Sequence, residues 1–453
     1  MEYFHSVTLD KPHCIGCTNC LKRCPTEAIR IRENRATILN ERCIDCGECI
    51  RSCPCHAKIA MTDSLDILNK FKYKIALPSP ALFPQFKGVH DAGMIIEGLF
   101  SIGFDDVLES AIGCELIVKA IKEKIAVLQR MNNRNSMPLI SSTCPAIVRL
   151  IQVSFPSLID NIVDMISPME AAAKIARKEF CEKRGVSPDE VGVIYITPCS
   201  AKMTAIKTAP GMERSNIDGA VSIRDIYGLL VSALHTHKPV ERDIRRASAT
   251  NLAWAVHGGE SAALGLENSL AVDGIENVIR CLDEIDNLKF SDLDFFEGRA
   301  CTCGCVGGPL TVENSFVARN RLRKVIENAP SCDNSDLDQY GMPELKLTEE
   351  LEPSNILQFE GTISERLTQM DRMNRILAKL PGLDCGSCGS PTCGALAEDI
   401  VRGFATELNC IFNMKDRVAL LAEQMLKISN STRFIKRRDI SASTENEDQT
   451  QDE

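Results

Sequence analysis

The sequence predicts an α/β body with a small cysteine-rich module on either side. From residue 73 to about residue 314, short apolar runs of strand length alternate with stretches of helical spacing. Cysteines crowd into tight runs before residue 55 and again after residue 384. The length of 453 residues allows about two to four domains, and 44% apolar residues are enough for an ordinary core. The 22 cysteines are grouped rather than spread, and Met1-Glu2-Tyr3-Phe4-His5 opens no basic and apolar leader. A disulfide framework and export are therefore not expected, and a reducing cytoplasm is. No run approaches the roughly 18 apolar residues that span a bilayer. The formal charge of −10 speaks against nucleic acid or an anionic membrane as partner.

The first module is assigned to residues 1–68. Cys14-x2-Cys17-x2-Cys20-x3-Cys24-Pro25 is followed by Cys43-x2-Cys46-x2-Cys49-x3-Cys53-Pro54. Each run closes on the Cys-Pro step of bacterial ferredoxins, which this segment resembles. The resemblance implies an α+β domain with two [4Fe–4S] clusters, the fourth cysteine of each run crossing to the other cluster. Cys14, Cys17, Cys20 and Cys53 would hold one, and Cys43, Cys46, Cys49 and Cys24 the other. Zinc needs only four ligands per site and does not call for the doubled pattern. Cys55 and His13 are surplus and read as structural.

In the α/β body, residues 73–77 read as a strand and 88–103 as a helix. Residues 138–140 lead as a strand into Ser141-Ser142-Thr143-Cys144-Pro145, and 191–196 into Thr197-Pro198-Cys199-Ser200-Ala201-Lys202. Both cysteines sit just past a strand's carboxyl end, where open α/β sheets bind ligands. A third stretch, Arg299-Ala300-Cys301-Thr302-Cys303-Gly304-Cys305-Val306-Gly307-Gly308-Pro309, packs three thiols into five residues, with glycines that permit close approach of backbone. Its spacing alone allows a zinc knot, a redox pair or a cluster anchor. Four thiolates from three loops, Cys144, Cys199, Cys301 and Cys305, suit one cluster.

In order and spacing these three stretches resemble the signature segments of [FeFe]-hydrogenases, and Ile217-Asp218-Gly219-Ala220-Val221-Ser222-Ile223-Arg224-Asp225 resembles the strand-to-helix segment between the second and third. The resemblance implies a two-lobed α/β domain, assigned to 69–330, that encloses an H-cluster. Its [4Fe–4S] cube would sit on Cys144, Cys199, Cys301 and Cys305. Cys305 would bridge to a two-iron subsite with carbonyl, cyanide and an amine-bearing dithiolate. H2 and protons are the implied substrates, and hydrogenase maturation proteins the implied partners. Lys202 matches the lysine that donates a hydrogen bond to a cyanide, a role an ammonium suits. Ser79-Pro80 occupies the place of a loop that touches the subsite.

Several residues depart from the family pattern. Thr143 stands where the family has its proton-donating cysteine, and a threonine hydroxyl is a far weaker acid than a thiol. Ala205 stands where a glutamate continues the proton path, so the relay is cut twice and slow turnover is expected, with water entering the space left by the missing side chain. Met169 replaces a glutamine and Arg299 a methionine near the subsite, which rebuilds the groups that tune the iron. Arg299 reads either as a charge that raises the cluster potential or as a surface arginine on a loop. Cys303 has no counterpart and reads as a spare thiol or an unusual proton donor. Cys114, Cys181, Cys281 and Cys332 stand alone and read as small buried hydrophobes, although Cys114 comes after a segment that passes close to the cluster in the family.

Residues 331–372 read as a linker that wraps the surface, acidic and without periodicity over 331–351. Residues 373–430 read as a small helical module. Cys385-x2-Cys388-x4-Cys393-x16-Cys410 in it resembles the [4Fe–4S] domain of electron-transfer and corrinoid-activating proteins. Residues 414–429 read as an amphipathic helix with Leu420, Leu421, Met425 and Ile428 on one side, and 431–453 as a disordered tail.

The combination resembles the sensory group of [FeFe]-hydrogenases. It implies a slow hydrogenase with four [4Fe–4S] clusters and a two-iron subsite, reporting H2 to a redox or signalling protein. The alternative is a non-catalytic iron–sulfur electron carrier that has lost the two-iron subsite. Homodimerisation is left open.

Overall fold

The computed structural model describes residues 4–131, 136–236, 246–332 and 334–443. One compact unit comprises the chain up to Ile29 and Glu33–Leu357, and a second comprises Arg30–Arg32 and the chain from Gln358.

The chain opens with β1 (Val7–Leu9), α1 (Asn19–Lys22), β2 (Ile29–Arg32), β3 (Arg35–Ile38), α2 (Glu48–Arg51) and β4 (Lys58–Ala60), all but Arg30–Arg32 of β2 belonging to the first unit. β1 pairs with β4 antiparallel. This stretch, assigned to a domain of its own from the sequence, shares one unit with the α/β body. Asp45 is the physical reason. Its Oδ1 accepts the backbone N–H groups of Ser6 and Val7 at 3.1 and 2.9 Å, and its Oδ2 the Thr204 hydroxyl at 2.8 Å. Its carbonyl accepts the Ser200 hydroxyl at 2.7 Å. Buried hydrogen bonds to a charged group contribute on the order of 1.5–3 kcal/mol each. A Cβ on Gly47 would meet the Pro309 ring at 2.4 Å, so the same stretch also lies close against the third signature loop.

The α/β body continues through β5 (Tyr73–Pro78), α3 (Ala92–Ile102), β6 (Asp106–Val107), α4 (Ile112–Arg130), β7 (Leu139–Ile140), α5 (Pro145–Ser154), α6 (Pro168–Arg184), β8 (Val191–Thr197), α7 (Ser200–Thr208), β9 (Gly219–Ser222) and α8 (Ile223–Thr236). It then runs through α9 (Ala249–Leu252), α10 (Gly259–Leu264), β10 (Ser269–Asp273), α11 (Ile275–Asp286), β11 (Phe295–Arg299), α12 (Ser315–Glu327) and α13 (Met342–Leu345). Two parallel sheets result, in the orders β6-β5-β8-β9 and β10-β11-β7. β8 is buried at every position, as a parallel strand covered on both faces must be. Each sheet has its own apolar core, one around Ile75, Leu77, Ile194 and Ile196, the other around Ile140, Ile147, Val278 and Phe296.

The segment read as a surface linker is anchored at its start. Leu337, Tyr340 and Leu345 join the larger core, and the Leu345 carbonyl accepts the Ile166 N–H at 2.8 Å. Their irregular spacing, in short turns rather than a long helix, is why no periodicity announced them.

The second unit holds α14 (Ile363–Leu377), α15 (Cys393–Val401) and α16 (Ile411–Ser443). It begins at Gln358, ahead of the boundary at 373 read from the sequence. Thr362 and Glu365 form a capping box that starts α14. Ile376 and Leu380 then pack with Leu396, Ala397 and Ile400. Asp399 accepts from Arg30 Nε at 2.6 Å, Arg32 Nη2 at 2.9 Å and Ser390 Oγ at 2.8 Å. The expected disordered tail is corrected in part, because the helical backbone of α16 runs on through 431–443. Residues 444–453 lie outside the described residues. Among the described residues no helix is long and apolar enough to cross a membrane.

Candidate functional site

Cys144 and Cys199 are the residues immediately before α5 and α7, each just beyond the end of a strand. Pro145 takes the first turn of α5, where a missing N–H is harmless. β11 pairs with β7, so the loop with Cys301 and Cys305 leaves the same sheet beside the Cys144 loop, while Cys199 comes from the other sheet. The four sulfurs share one neighbourhood. Burial raises the Cys199 thiol pKa, Lys202 opposes the rise, and Cys301 and Cys305 add to it. Burial likewise raises Cys301, with Arg51 opposing and Cys144 and Cys305 adding to the rise. Crowded thiols of this kind ionise when a metal takes up their charge.

The glycines of the loop serve this crowding. A Cβ on Gly307 would lie 2.2 Å from the Thr302 carbonyl oxygen, and one on Gly308 2.3 Å from that of Pro198. Cys303 is buried in a left-handed conformation (φ 66°), its N–H donating to Asp273 Oδ2 at 2.5 Å.

Beside Cys305 lies a cavity whose wall includes Ser79, Pro80, Thr143, Met169, Lys202 and Cys305, brought together from five separate parts of the chain. Cys114 of α4, Tyr195 and Trp254 complete this side of it. Burial opposes charge on Lys202, but Tyr195 and the sulfurs of Cys305 and Cys199 outweigh it and push the ammonium pKa up. Lys202 Nζ donates to the Tyr195 hydroxyl at 2.9 Å.

Arg299 ends β11 in full burial, which excludes the surface-loop reading. Its Nε donates to Glu297 Oε1 at 3.1 Å and its Nη2 to Glu260 Oε2 at 2.9 Å. Burial opposes its charge, and Glu297, Glu260, Cys305 and Cys144 more than restore it. Glu260, from α10, also accepts the Ser141 hydroxyl at 2.7 Å and the Thr143 hydroxyl at 3.3 Å. Burial pushes its carboxyl up to about 7, Arg299 pulling down and Glu297 pushing up. Nothing in the sequence marked Glu260, because the partners that define it lie 39 to 119 residues away.

Ala205 lines a separate cavity of about 310 Å3, together with Ser142, Thr204, Ser167, Met169 and Glu170. That volume has room for several waters, and Ser142, Thr204, Ser167 and Glu170 offer them partners.

In the N-terminal stretch, burial raises the Cys20 thiol, Lys58 lowers it, and Cys17, Cys14 and Cys53 raise it further. Cys43, Cys46, Cys49 and Cys24 are linked in the same way. Ala28 and Ala57 donate backbone N–H groups to the sulfurs of Cys24 and Cys53, each at 3.2 Å. Arg51 Nη1 donates to Cys301 Sγ at 3.4 Å while its Nη2 donates to the Cys46 carbonyl at 3.3 Å, so it touches both groups of thiols. In the second unit, burial raises the Cys388 thiol, the Ser390 backbone opposes this, and Cys385 and Cys410 raise it further. Cys393 packs in the same small core.

Iron–sulfur clusters fit the chemistry of these residues. Lys58 Nζ, Arg299 Nη1, Trp254 Nε1 and Ser167 Oγ are buried without a hydrogen-bond partner among the described residues. Lys58 acts on the thiolates of Cys20, Cys24 and Cys49, and Arg299 on those of Cys305 and Cys144. Trp254 and Ser167 line the cavity beside Cys305. Unpaired buried donors are costly. Anionic clusters and anionic ligands would give these donors acceptors.

Comparison with known proteins accords with this chemistry. Residues 72–265 match the family described as the iron only hydrogenase large subunit, C-terminal domain. Residues 6–54 match a 4Fe-4S dicluster domain, and 380–412 an Fe-S cluster family. Iron hydrogenase 1 of Clostridium pasteurianum is 25% identical over 327 residues, which cover 66% of this chain and 55% of that protein. The cytosolic Fe-S cluster assembly factor NAR1 of Yarrowia lipolytica is 22% identical over 248 residues, covering 45% and 47% respectively. The chain thus spans about half the length of these curated relatives. The solved [FeFe]-hydrogenase HydA1 of Chlamydomonas reinhardtii superposes with a TM-score of 0.49 at 15% identity, over 62% of this chain and 94% of that one.

Proposed function

The chain belongs to the [FeFe]-hydrogenase-like family and carries an N-terminal ferredoxin-type domain, and from that premise we propose that it is a slow, sensory hydrogenase. It acts on H2 at an H-cluster and passes electrons along [4Fe–4S] clusters to a redox or signalling protein in the cytoplasm. The observation that carries this reading is the cavity beside Cys305, where buried Lys202 and the unpaired Trp254 Nε1 face a space that a bare cube on four cysteines would not need.

Cys144, Cys199, Cys301 and Cys305 would hold the active-site cube, with Cys305 the sulfur nearest the cavity. Two cubes would rest on the eight N-terminal cysteines and one on Cys385, Cys388, Cys393 and Cys410. When bound, the two-iron subsite supplies the place where H2 is split or formed. Around it, Lys202 offers N–H groups to an anionic ligand, and Ser79, Pro80 and Met169 exclude water. Arg299 keeps positive charge behind Cys305 and Cys144.

Proton movement falls to Thr143 and Glu260. A hydroxyl hydrogen-bonded to a carboxyl passes a proton by exchanging it and need not ionise. Thr143 Oγ1 donates to Glu260 Oε1, and a carboxyl that titrates near 7 is matched to neutral solution. The relay with Thr143 and Ala205 in the family's positions would therefore have a replacement carboxyl hydrogen-bonded to Thr143. Its 3.3 Å hydrogen bond is long, which suits slow turnover.

The second reading, an iron–sulfur carrier without the two-iron subsite, draws on Thr143, Ala205 and the likeness to an assembly factor. Infrared spectroscopy separates the two. Prepared with hydrogenase maturation proteins, the chain should show bands of iron-bound carbonyl and cyanide. Full cubes without those bands would leave the carrier.

A further inference from the structure

The helix α16 runs from Ile411 to Ser443. Every side chain from Ile411 to Asn430 is exposed except the half-buried Asn413. A long helix with no covered face gains little from packing, and packing supplies most helical stability in proteins. Most of its large apolar residues fall on one repeat, while Phe412, Leu420 and Leu426 lie off it. Ile411, Met414, Val418, Leu421, Met425 and Ile428 recur at alternating steps of three and four, and each is 46–70% exposed. The sequence places Thr432 and Ile435 at the next two positions of the same repeat. Such a 3.5-residue period keeps one seam in contact only with another helix of the same period, in a left-handed supercoil.

We propose that α16 is half of a parallel two-stranded coiled coil that pairs two copies of this chain. With Ile411 at the first seam position of its heptad, Ile411, Val418 and Met425 occupy one seam row and Met414, Leu421 and Ile428 the other. The β-branched Ile411 and Val418 in the first row, with Leu421 between them in the second, match the pattern that favours two parallel strands. The flanking residues permit the pairing. In parallel register Arg417 lies opposite Ala422 of the second copy, and Gln424 opposite Ser429, so no like charges meet across the seam. The repeat from Ile411 to Ile435 is about 37 Å long, and a seam roughly 10 Å wide on each helix gives on the order of 700 Å2 for the pair, the small end of what a two-stranded contact buries. Cys410 directly precedes the helix, so the pairing begins at the edge of the candidate C-terminal cluster. This inference stands apart from the hydrogenase reading and would hold equally for a carrier.

The test is the mass of the full, cluster-loaded chain under anaerobic conditions, by light scattering and sedimentation equilibrium over the micromolar range. A dimer is expected. The double variant Leu421→Glu/Met425→Glu should weaken association by roughly 100-fold or more, because four carboxylates would enter an apolar seam. Glu423→Lys, off the seam, should remain a dimer. Unchanged iron content and helical circular dichroism would show that each variant is folded. A monomer at all concentrations, a dimer that survives the double variant, or a larger assembly that the variant dissolves would each overturn the proposal.

Discussion

Glu260 holds the most telling juxtaposition at the scale of single residues. One carboxylate accepts from Ser141, Thr143 and Arg299, inside a site where burial favours the neutral form. Because its pKa is raised to about 7, Glu260 is protonated below that pH and ionised above it. Under the proposed hydrogenase function it would serve H2 formation as a donor, and that rate should fall as pH rises through about 7. As an acceptor it would serve H2 oxidation, and that rate should fall as pH drops through the same range. Glu260→Gln should lower both rates by roughly 10²–10⁴-fold, the usual contribution of a positioned acid or base, and should erase the inflection near neutrality. Thr143→Val, which keeps the shape and loses the hydroxyl, should act in the same direction. Unaltered pH profiles in both variants would move proton supply to the cavity of about 310 Å3 beside Ala205.

Among elements, α15 is the clearest case of a helix placed for a ligand. Thr392 caps it by accepting the Ala395 N–H, and Asp384 takes the N–H of Cys393, which fixes the first turn against the loop bearing Cys385 and Cys388. Gly386 and Gly389 in that loop hold left-handed conformations at φ 75° and 80°. The proposed cube there should account for about four irons of a total near 18. Cys393→Ser should lower the iron content by about that number and leave the carbonyl and cyanide bands in place. Unchanged iron would remove the C-terminal cluster from the assignment.

For the molecule as a whole, Arg51 is a group whose position matters more than its type. It comes from α2 in the N-terminal stretch and touches both Cys301 and the backbone of Cys46. A cation between two anionic clusters stabilises the reduced state of each. At an effective dielectric constant of about 20, a unit charge at 4 Å is worth about 4 kcal/mol before screening. Arg51→Met should therefore shift the midpoint potentials of the adjacent clusters downward in a redox titration followed by electron paramagnetic resonance. Potentials that do not move would reduce Arg51 to a packing role between the two segments.

The cysteine runs, the strand ends before Cys144 and Cys199 and the glycines after Cys305 are local patterns; periodicity was enough for the α/β class, and the resemblance carried by these motifs gave the ferredoxin-type segment and the family. The strand leading to Cys199 is legible because a doubly covered parallel strand is apolar at every position. Glu260, Arg51, Lys58 and Asp45 carry no such mark. Each is an ordinary charged residue in an ordinary stretch, and its meaning comes from groups brought beside it over long sequence separations. Arg299 shows the division most plainly: the sequence left it between a surface arginine and a charge beside the cluster, and burial with Glu297 and Glu260 excluded the surface reading. Ligand spacing is written along the chain because adjacent residues must reach one cluster. Charge, burial and proton paths are properties of the space between elements, and only folding creates that space.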